Sequence, residues 1–228
     1  MRKQFLLGMV LASLLGTASG ATFINDNLEG FSGTAGTQSA IGSIAGTAFS
    51  LVSGTIDVNN ASFYSVVCRS PTAITCIDTT GGGNGTRGIF ESTSSFNFLA
   101  GAQYLLQFAL VRWDDTGIAG GGAAGPQNTA IRVTVGGNGG PFDETFQVNS
   151  SYTNGVITRY FIPTVTVNTA KLRFTDLGVV AVGNNTASTS YAGAIVDGVF
   201  LADVPEPATF ALVGLGVAAL AVARRKRA

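Results

Sequence analysis

The sequence contains no histidine among its 228 residues. Ser-His-Asp and Cys-His mechanisms use an imidazole to move a proton, so this absence excludes both classes of enzyme. It also removes a residue that commonly completes a cysteine-based zinc site. Glycoside hydrolysis by paired carboxylates needs no histidine and therefore stays open as an alternative.

A sustained helical period is also missing from the interior of the chain. Short β-type runs separated by glycine-rich turns take its place. In the clearest run, residues 103–112, a single face of the strand carries Tyr104, Leu106, Phe108 and Leu110. Similar runs occur at residues 47–52, 54–58, 62–68, 129–135, 145–148, 156–162, 172–174 and 194–201. Many short strands at this spacing predict an all-β fold, an antiparallel sandwich or barrel.

The N-terminus has the order of a secretory signal peptide. Arg2 and Lys3 precede an apolar run at residues 5–15, and small residues then lead to Ala21. The pattern predicts a signal helix over residues 1–21 that is removed on export. The alternative, a buried helix of the folded domain, fits poorly with a run that starts at the initiator methionine.

The C-terminal tail combines a rigid elbow, an apolar run and a block of cations. Pro205, Glu206 and Pro207 lead into residues 208–223, which carry no charge. As a helix, these residues span about 24 Å at about 1.5 Å each, slightly less than the ~30 Å hydrocarbon core. Flanking cations can snorkel across that difference and favour the cytoplasmic side. The cations are Arg224, Arg225, Lys226 and Arg227. We therefore predict a transmembrane helix over residues 208–223.

These three tail elements together resemble the PEP-CTERM sorting signal of Gram-negative bacteria, a motif also named after the C-terminus of ice-binding proteins. The resemblance covers residues 204–228. It implies recognition by an exosortase, a membrane-embedded cysteine transpeptidase that cuts near the motif. The protein is then expected to cross the inner membrane, to be anchored there transiently, and to end at the cell surface or outside the cell. A plain tail anchor is the alternative, but it needs no Pro-Glu-Pro.

Between the two ends, residues 22–203 form one predicted exported domain. This span keeps 7 of the 13 basic residues and 12 of the 13 acidic residues, so its net charge is near −5. An acidic domain without a basic patch argues against nucleic-acid binding.

Two cysteines, Cys68 and Cys76, are separated by seven residues. Export brings them into an oxidising compartment, which favours a disulfide that closes a small loop. A metal or thiol site is the alternative, and without histidine it lacks a partner.

The body also has a softer resemblance, to galactose-binding-like jelly rolls, which include many carbohydrate-binding modules. It rests on residues 95–108, with an Ala-Gly turn before a Tyr-x-Leu-x-Phe strand, and on the closing run 194–201. The resemblance implies a jelly-roll sandwich. It also implies a structural Ca²⁺ held by an early glutamate and a late aspartate, here Glu29 and Asp197, whose carboxylate oxygens suit calcium. The alternative is that both are ordinary carboxylates in turns.

Trp113 is the only tryptophan, and it precedes Asp114 and Asp115 at the end of the clearest strand. An exposed indole beside carboxylates can stack on a sugar ring, although a core position is commoner. Adjacent acids on a strand point to opposite faces, so this pair and the pair Asp143 and Glu144 make poor catalytic couples.

The sequence thus favours a non-catalytic surface or matrix protein associated with exopolysaccharide and biofilm. The alternatives are a carbohydrate-binding module with a site near Trp113 and, less favoured, a carboxylate-based glycosidase.

Overall fold

A computed structural model describes residues 20–60, 68, 75–81, 86–112, 129–148, 155–179 and 193–205. These residues form strands and no helix. The strands in the first half are β1 (Thr22–Asp26), β2 (Gly36–Gln38), β3 (Gly42–Ser43), β4 (Phe49–Ser53), β5 (Ile56–Asn60), β6 (Thr75–Asp78), β7 (Thr80–Gly81), β8 (Thr86–Arg87) and β9 (Ile89–Ser92). The later strands are β10 (Phe96–Phe98), β11 (Tyr104–Arg112), β12 (Thr129–Val135), β13 (Phe142–Val148), β14 (Gly155–Phe161), β15 (Val167–Ala170), β16 (Leu172–Val179) and β17 (Ala194–Asp203).

Two antiparallel sheets make the sandwich. The seven-stranded sheet has the order β14-β11-β17-β6-β5-β2, and β1 also pairs with β17. The six-stranded sheet has the order β13-β12-β16-β9-β4-β3. Two small ribbons, β10 with β15 and β7 with β8, complete the described strands. The fold is therefore an all-β antiparallel sandwich, as the sequence predicts.

Aromatic rings join the two sheets in the core. Phe108 of the seven-stranded sheet makes edge-to-face contacts with Phe146 and Phe174 of the other sheet, at ring-centroid distances of 5.3 and 5.5 Å. Phe174 also stacks on Phe90 at 4.9 Å. Such pairs add to the stabilisation that burial of the rings already gives. The predicted core face of β11 is confirmed, because Tyr104, Leu106, Phe108 and Leu110 are all buried.

One open side of the sandwich is closed by an inward-pointing ion pair. The edge strands β14 and β13 place Arg159 and Glu144 at distances of 2.7 and 2.8 Å in a two-pronged contact. The guanidinium also lies over the ring of Phe146, 5.2 Å from its centroid. Inward charges on edge strands discourage pairing with another chain, so this contact protects both edges.

Strand β17 contains a bulge that only glycine accommodates easily. Its register against β11 shifts between Gln107 and Ala109, and Gly198 has φ 53°. That φ is the left-handed region, where a Cβ is disfavoured. The bulge turns Val199 into the core and leaves Phe200 on the outer face, half-buried.

The strand predictions are confirmed in type but shifted at their ends. The predicted run 54–58 is strand Ile56–Asn60, and the predicted run 172–174 extends to Val179. The extension was missed because Asp176 and Gly178 interrupt the apolar alternation that marks a strand. The predicted run 62–68 lies outside the described residues except for Cys68.

Candidate functional site

The C-terminal strand lies in the interior of the larger sheet and leads directly into the tail. Strand β17 pairs with β11 on one side and with both β1 and β6 on the other. At its end, the Asp203 N–H donates to Ala21 O at 3.1 Å, and the Val204 N–H donates to Gln103 O at 2.8 Å. The folded body is thus hydrogen-bonded up to Val204, and Pro205 is the last described residue.

The rest of the tail lies outside the described residues. This applies to Glu206, Pro207, the apolar run 208–223 and the cations at 224–227. It applies equally to the signal segment at residues 1–19. Within the part of the chain that the structure describes, no helix is long and apolar enough to cross a membrane.

A groove of about 530 Å³ lies on the outer face of the seven-stranded sheet. Its floor contains one row of side chains that crosses four strands, β1, β17, β11 and β14. The register pairs Asn25 with Phe200, Phe200 with Gln107, and Gln107 with Thr158. The Gln107 amide donates to the Thr158 hydroxyl at 3.2 Å. The row therefore offers amide and hydroxyl groups beside one half-buried aromatic ring.

The groove contains little charge. Among its lining residues only Asp26 is ionisable. Its carboxylate accepts hydrogen bonds from the Leu28 N–H at 2.7 Å and from the Ala48 N–H at 2.5 Å. Both oxygens are thus used to hold the turn that follows β1. The remaining polar groups are neutral, so the surface suits an uncharged polar ligand better than an ion.

The predicted ligand residues Trp113, Asp114 and Asp115 lie outside the described residues. Strand β11 ends one residue earlier, at Arg112, which pairs with Ala194 at the start of β17. The structure therefore does not test this prediction.

The predicted disulfide between Cys68 and Cys76 is present, with both residues buried and their Cα atoms 5.7 Å apart. Cys76 lies opposite Asn59 in the β5–β6 ladder, and the next pair on the same face is Asp57 with Asp78. The disulfide thus lies beside a buried polar cluster, which we define as Asp57, Asn59 and Asp78.

Asp78 is the more deeply buried of the two acids in this buried polar cluster. Its Oδ1 accepts the N–H groups of Thr80 at 3.0 Å and Gly193 at 2.9 Å. Within the described residues its Oδ2 has no hydrogen-bond partner. Burial raises the pKa of Asp78 well above its ordinary value; the N–H of Thr80 opposes this shift, and the Asp57 carboxylate adds to it. Burial thus favours the neutral form of Asp78 more than it would be favoured in an exposed aspartate.

Asp176 approaches the same region from the other sheet. It accepts hydrogen bonds from the Thr80 hydroxyl and from the Gly178 N–H. Burial raises the pKa of Asp176, while these hydrogen bonds hold the shift back. Asp57, Asp78 and Asp176 are buried, so they affect the stability of the fold and do not contact a substrate.

Of the acids considered for glycoside hydrolysis, Asp143 and Glu144 are each held by an arginine. Asp143 accepts two hydrogen bonds from Arg132, at 2.7 and 2.6 Å. This contact, with a further N–H from Gly139, lowers the pKa of Asp143 to about 2. Glu144 points to the other face of β13 and pairs with Arg159. The two carboxylates therefore do not form a couple.

The predicted calcium ligands lie near the same end of neighbouring strands. Glu29 follows β1 and accepts the Thr75 N–H at 3.2 Å, whereas Asp197 is buried in β17. Across the described ranges, no group of three His, Cys, Asp or Glu residues is arranged to hold a metal. The calcium site stays a prediction.

Sequence reasoning missed the groove and the buried acids. Gln107 alternates with buried apolar residues in β11, and Asp57 alternates with Ile56 and Val58 in β5, so both were visible as polar positions in strands. The sequence pattern does not show which residue of a neighbouring strand lies beside Gln107 or Asp57.

Residues 203–227 match the family model of the PEP-CTERM protein-sorting motif. The match confirms the sorting signal recognised in the tail, and it begins at the last residue of β17. Such a motif implies export, membrane-anchored transit and processing by an exosortase. Among the curated proteins, none matches this chain.

The solved structures with weak similarity to this chain include the following three. One, described as "CBM4 structure and function", is 15% identical, covers 64% of this chain and 94% of its own, and has a TM-score of 0.38. The enzymatically active domain of tailspike protein 4 from bacteriophage CBA120 is 12% identical over 78% of this chain and 20% of that chain, with a TM-score of 0.39. The Stig cyclase Fisc from Fischerella sp. TAU is 11% identical over 83% and 92%, with a TM-score of 0.36.

Proposed function

We propose, from the PEP-CTERM motif at residues 203–227, that this chain is an exported, non-catalytic protein that an exosortase delivers to the cell surface or the extracellular matrix. The observation that carries the proposal is the position of the motif. It starts where the body ends, because hydrogen bonds hold the chain in the sheet up to Val204. A sorting enzyme that acts beyond this residue leaves every described strand intact.

The site chemistry supports a non-catalytic body. The chain has no histidine, and Asp143 and Glu144 are engaged by separate arginines. Asp78 and Asp176 are both buried. Association with exopolysaccharide in a biofilm is the role that we propose for such a body.

The sorting step is tested by replacing Pro205, Glu206 and Pro207 with alanine in cells that contain an exosortase. We expect an uncut, membrane-bound form to accumulate, because the motif is the recognition element. A Pro141→Ala variant, altered in a hairpin turn of the body, is the control and should be processed normally. Normal processing of the triple variant would leave a plain tail anchor as the better description.

A second candidate function is binding of a neutral polysaccharide in the groove. The row of Asn25, Phe200, Gln107 and Thr158 supports it, because sugar hydroxyls need neutral hydrogen-bonding groups and an apolar surface beside them. The three polar members are exposed or half-buried, so a ligand can reach them.

Affinity electrophoresis in gels that contain the native exopolysaccharide tests this function. Loss of one hydrogen bond costs about 1.4 kcal/mol, so Gln107→Ala should weaken binding about tenfold. Gln147→Ala, an exposed glutamine on the other sheet, is the matched control and should bind normally. Binding that survives Gln107→Ala but is lost in Trp113→Ala would place the site near Trp113 instead.

A further inference from the structure

One end of the sandwich carries exposed apolar side chains. Four of the large hydrophobic residues are more than half exposed there: Leu99 at 59%, Tyr160 at 59%, Ile162 at 56% and Val165 at 65%. They belong to two loops, residues 99–103 and 162–166, and to the strand end before the second loop. We call this surface the apolar tip.

The apolar tip is a built surface. The Gly101 N–H donates to Pro163 O at 2.9 Å, and the Ala100 N–H donates to the Thr166 hydroxyl at 3.2 Å, so the two loops are joined. The Leu99 N–H donates to the hydroxyl of Tyr104 at 2.7 Å, which fixes the first loop on the core. These contacts hold the apolar side chains on the outside.

The two segments of the chain that carry this surface contain no charged residue. Residues 92–111 and 160–170 contain no Asp, Glu, Lys or Arg. Soluble surfaces normally intersperse charges, and an uncharged apolar patch marks a place of contact with a partner or a membrane. The question is which of the two lies at this end of the body.

The register places the apolar tip beside the exit of the chain. Asp203 pairs with Tyr104, and Tyr104 pairs with Phe161, so the end of β17, the start of β11 and the end of β14 form one row. Just beyond that row lie Val204 and Ile162, two strands apart. Neighbouring strands are about 4.8 Å apart, so the two residues are separated by about 10 Å across the sheet.

The length of the tail then brings this row to the bilayer. Three residues separate Val204 from the apolar run that begins at Ala208. Two of the three are prolines, which favour an extended chain, and four extended steps of about 3.1 Å reach about 12 Å. The polar zone on each side of the hydrocarbon core is about 5–8 Å thick. The end of the body therefore lies within a few ångströms of the lipid headgroups.

We infer that the apolar tip rests in the headgroup region of the bilayer while the chain is anchored by residues 208–223. The inference depends on the membrane-anchored stage of the proposed function. The occupant is lipid rather than protein because the short tail fixes the distance to the bilayer whichever enzyme is present. Leu99, Ile162 and Val165 then act as a second, reversible contact that orients the body before it is cut.

Depth-dependent fluorescence quenching tests this inference on the full chain. In a Trp113→Phe background, Leu99→Trp or Val165→Trp gives a single reporter in each of the two loops. Each variant is reconstituted in phosphatidylcholine vesicles with and without brominated acyl chains near the headgroups. Ile41→Trp is the matched control. Ile41 is 73% exposed. It follows Gln38, which pairs with Ile56. Ile56 lies toward the start of β17, so Ile41 is at the end of the sandwich opposite the apolar tip.

We expect brominated lipid to remove most of the emission of the tryptophan at 99 and at 165 and to leave the tryptophan at 41 unchanged. Vesicle flotation is measured on the same samples. If the chain floats with the vesicles and neither tip reporter is quenched, the tip inference is wrong while the anchored stage stands. If the chain does not float, the anchored stage and the inference fail together.

Two further results would also overturn the inference. Equal quenching at 41, 99 and 165 would show that the body has no fixed orientation on the membrane. Tip reporters that lipid leaves unquenched, but that a co-reconstituted exosortase shields from aqueous iodide, would assign the apolar tip to the enzyme instead.

Discussion

Removing the Cys68–Cys76 disulfide should destabilise the body by an amount that follows from the loop it closes. The two residues are separated by 8 positions in the chain. In the chain-entropy relation, a closed loop of this size restricts the unfolded chain by about 2.5 kcal/mol at 25 °C. For a protein of this size, each kcal/mol moves the melting temperature by about 2–4 °C. The expected decrease is therefore about 5–10 °C.

Two perturbations distinguish the effect of the cross-link on stability from the effect of packing the sulfur atoms. Reduction keeps both sulfur atoms and removes only the bond, whereas the double variant Cys68→Ala, Cys76→Ala also removes their packing. Thermal unfolding of the full chain in a non-ionic detergent, followed by circular dichroism, should show the decrease after reduction and a somewhat larger one in the variant. Oxidised unaltered protein in the same detergent is the reference.

A local readout checks the structural part of this reasoning. Cys76 lies in β6, between β5 and β17, so the loss of the cross-link should speed amide exchange at Thr75–Asp78 before it affects β12. A melting temperature that reduction leaves unchanged, with both thiols shown by alkylation to be free, would refute the entropic account. The loop would then be held by its other contacts.

Three other substitutions should each change the stability of the folded protein in a stated direction. Asp78→Asn should stabilise the protein at neutral pH, because burial of the neutral amide avoids the ionisation that burial disfavours in the acid. Because the pKa of Asp78 is raised, that gain should fade as the pH falls towards the ordinary carboxyl pKa of about 4, which urea unfolding at several pH values would reveal. Asp143→Asn should instead destabilise the protein at neutral pH. The lowered pKa of Asp143 means that its ion pair with Arg132 stabilises the fold above about pH 4. The loss of stability in the variant should therefore disappear near pH 2. A variant that is equally destabilised at pH 2 and pH 7 would contradict this assignment. Phe174→Ala should cost about 3–5 kcal/mol, since the ring is fully buried, and a loss below 1 kcal/mol by urea unfolding would mean that the core refills the space.

The fold class could be predicted because several of the longer strands show an apolar alternation within their own sequence. Alternation in residues 104–110 places four apolar side chains on the core side without reference to any other strand. Strand β12 was predicted with its observed ends, Thr129–Val135, for the same reason. The prediction for β16 ends too early because Asp176 is polar, and its hydrogen bonds with Thr80 and Gly178, which make that position tolerable in a core, are not visible in the sequence.

The groove could not be predicted because its members are distant in the chain. Asn25, Gln107, Thr158 and Phe200 are brought into one row by the strand order and by the bulge at Gly198. A shift of one residue in any of these pairings would turn the side chains to the other face. No local pattern in the sequence encodes that alignment.

The sequence by itself carries the sorting motif and predicts how the cysteines pair and which faces of many strands are buried. Those properties depend on consecutive residues: a proline elbow, an uncharged run, a cluster of cations and an alternation of period two. Tertiary structure alone decided which polar groups share a groove, which acids are shut away from water, and that the apolar loops lie beside the exit of the tail. These depend on register between strands far apart in the chain, and register is set by the packing of the whole sandwich.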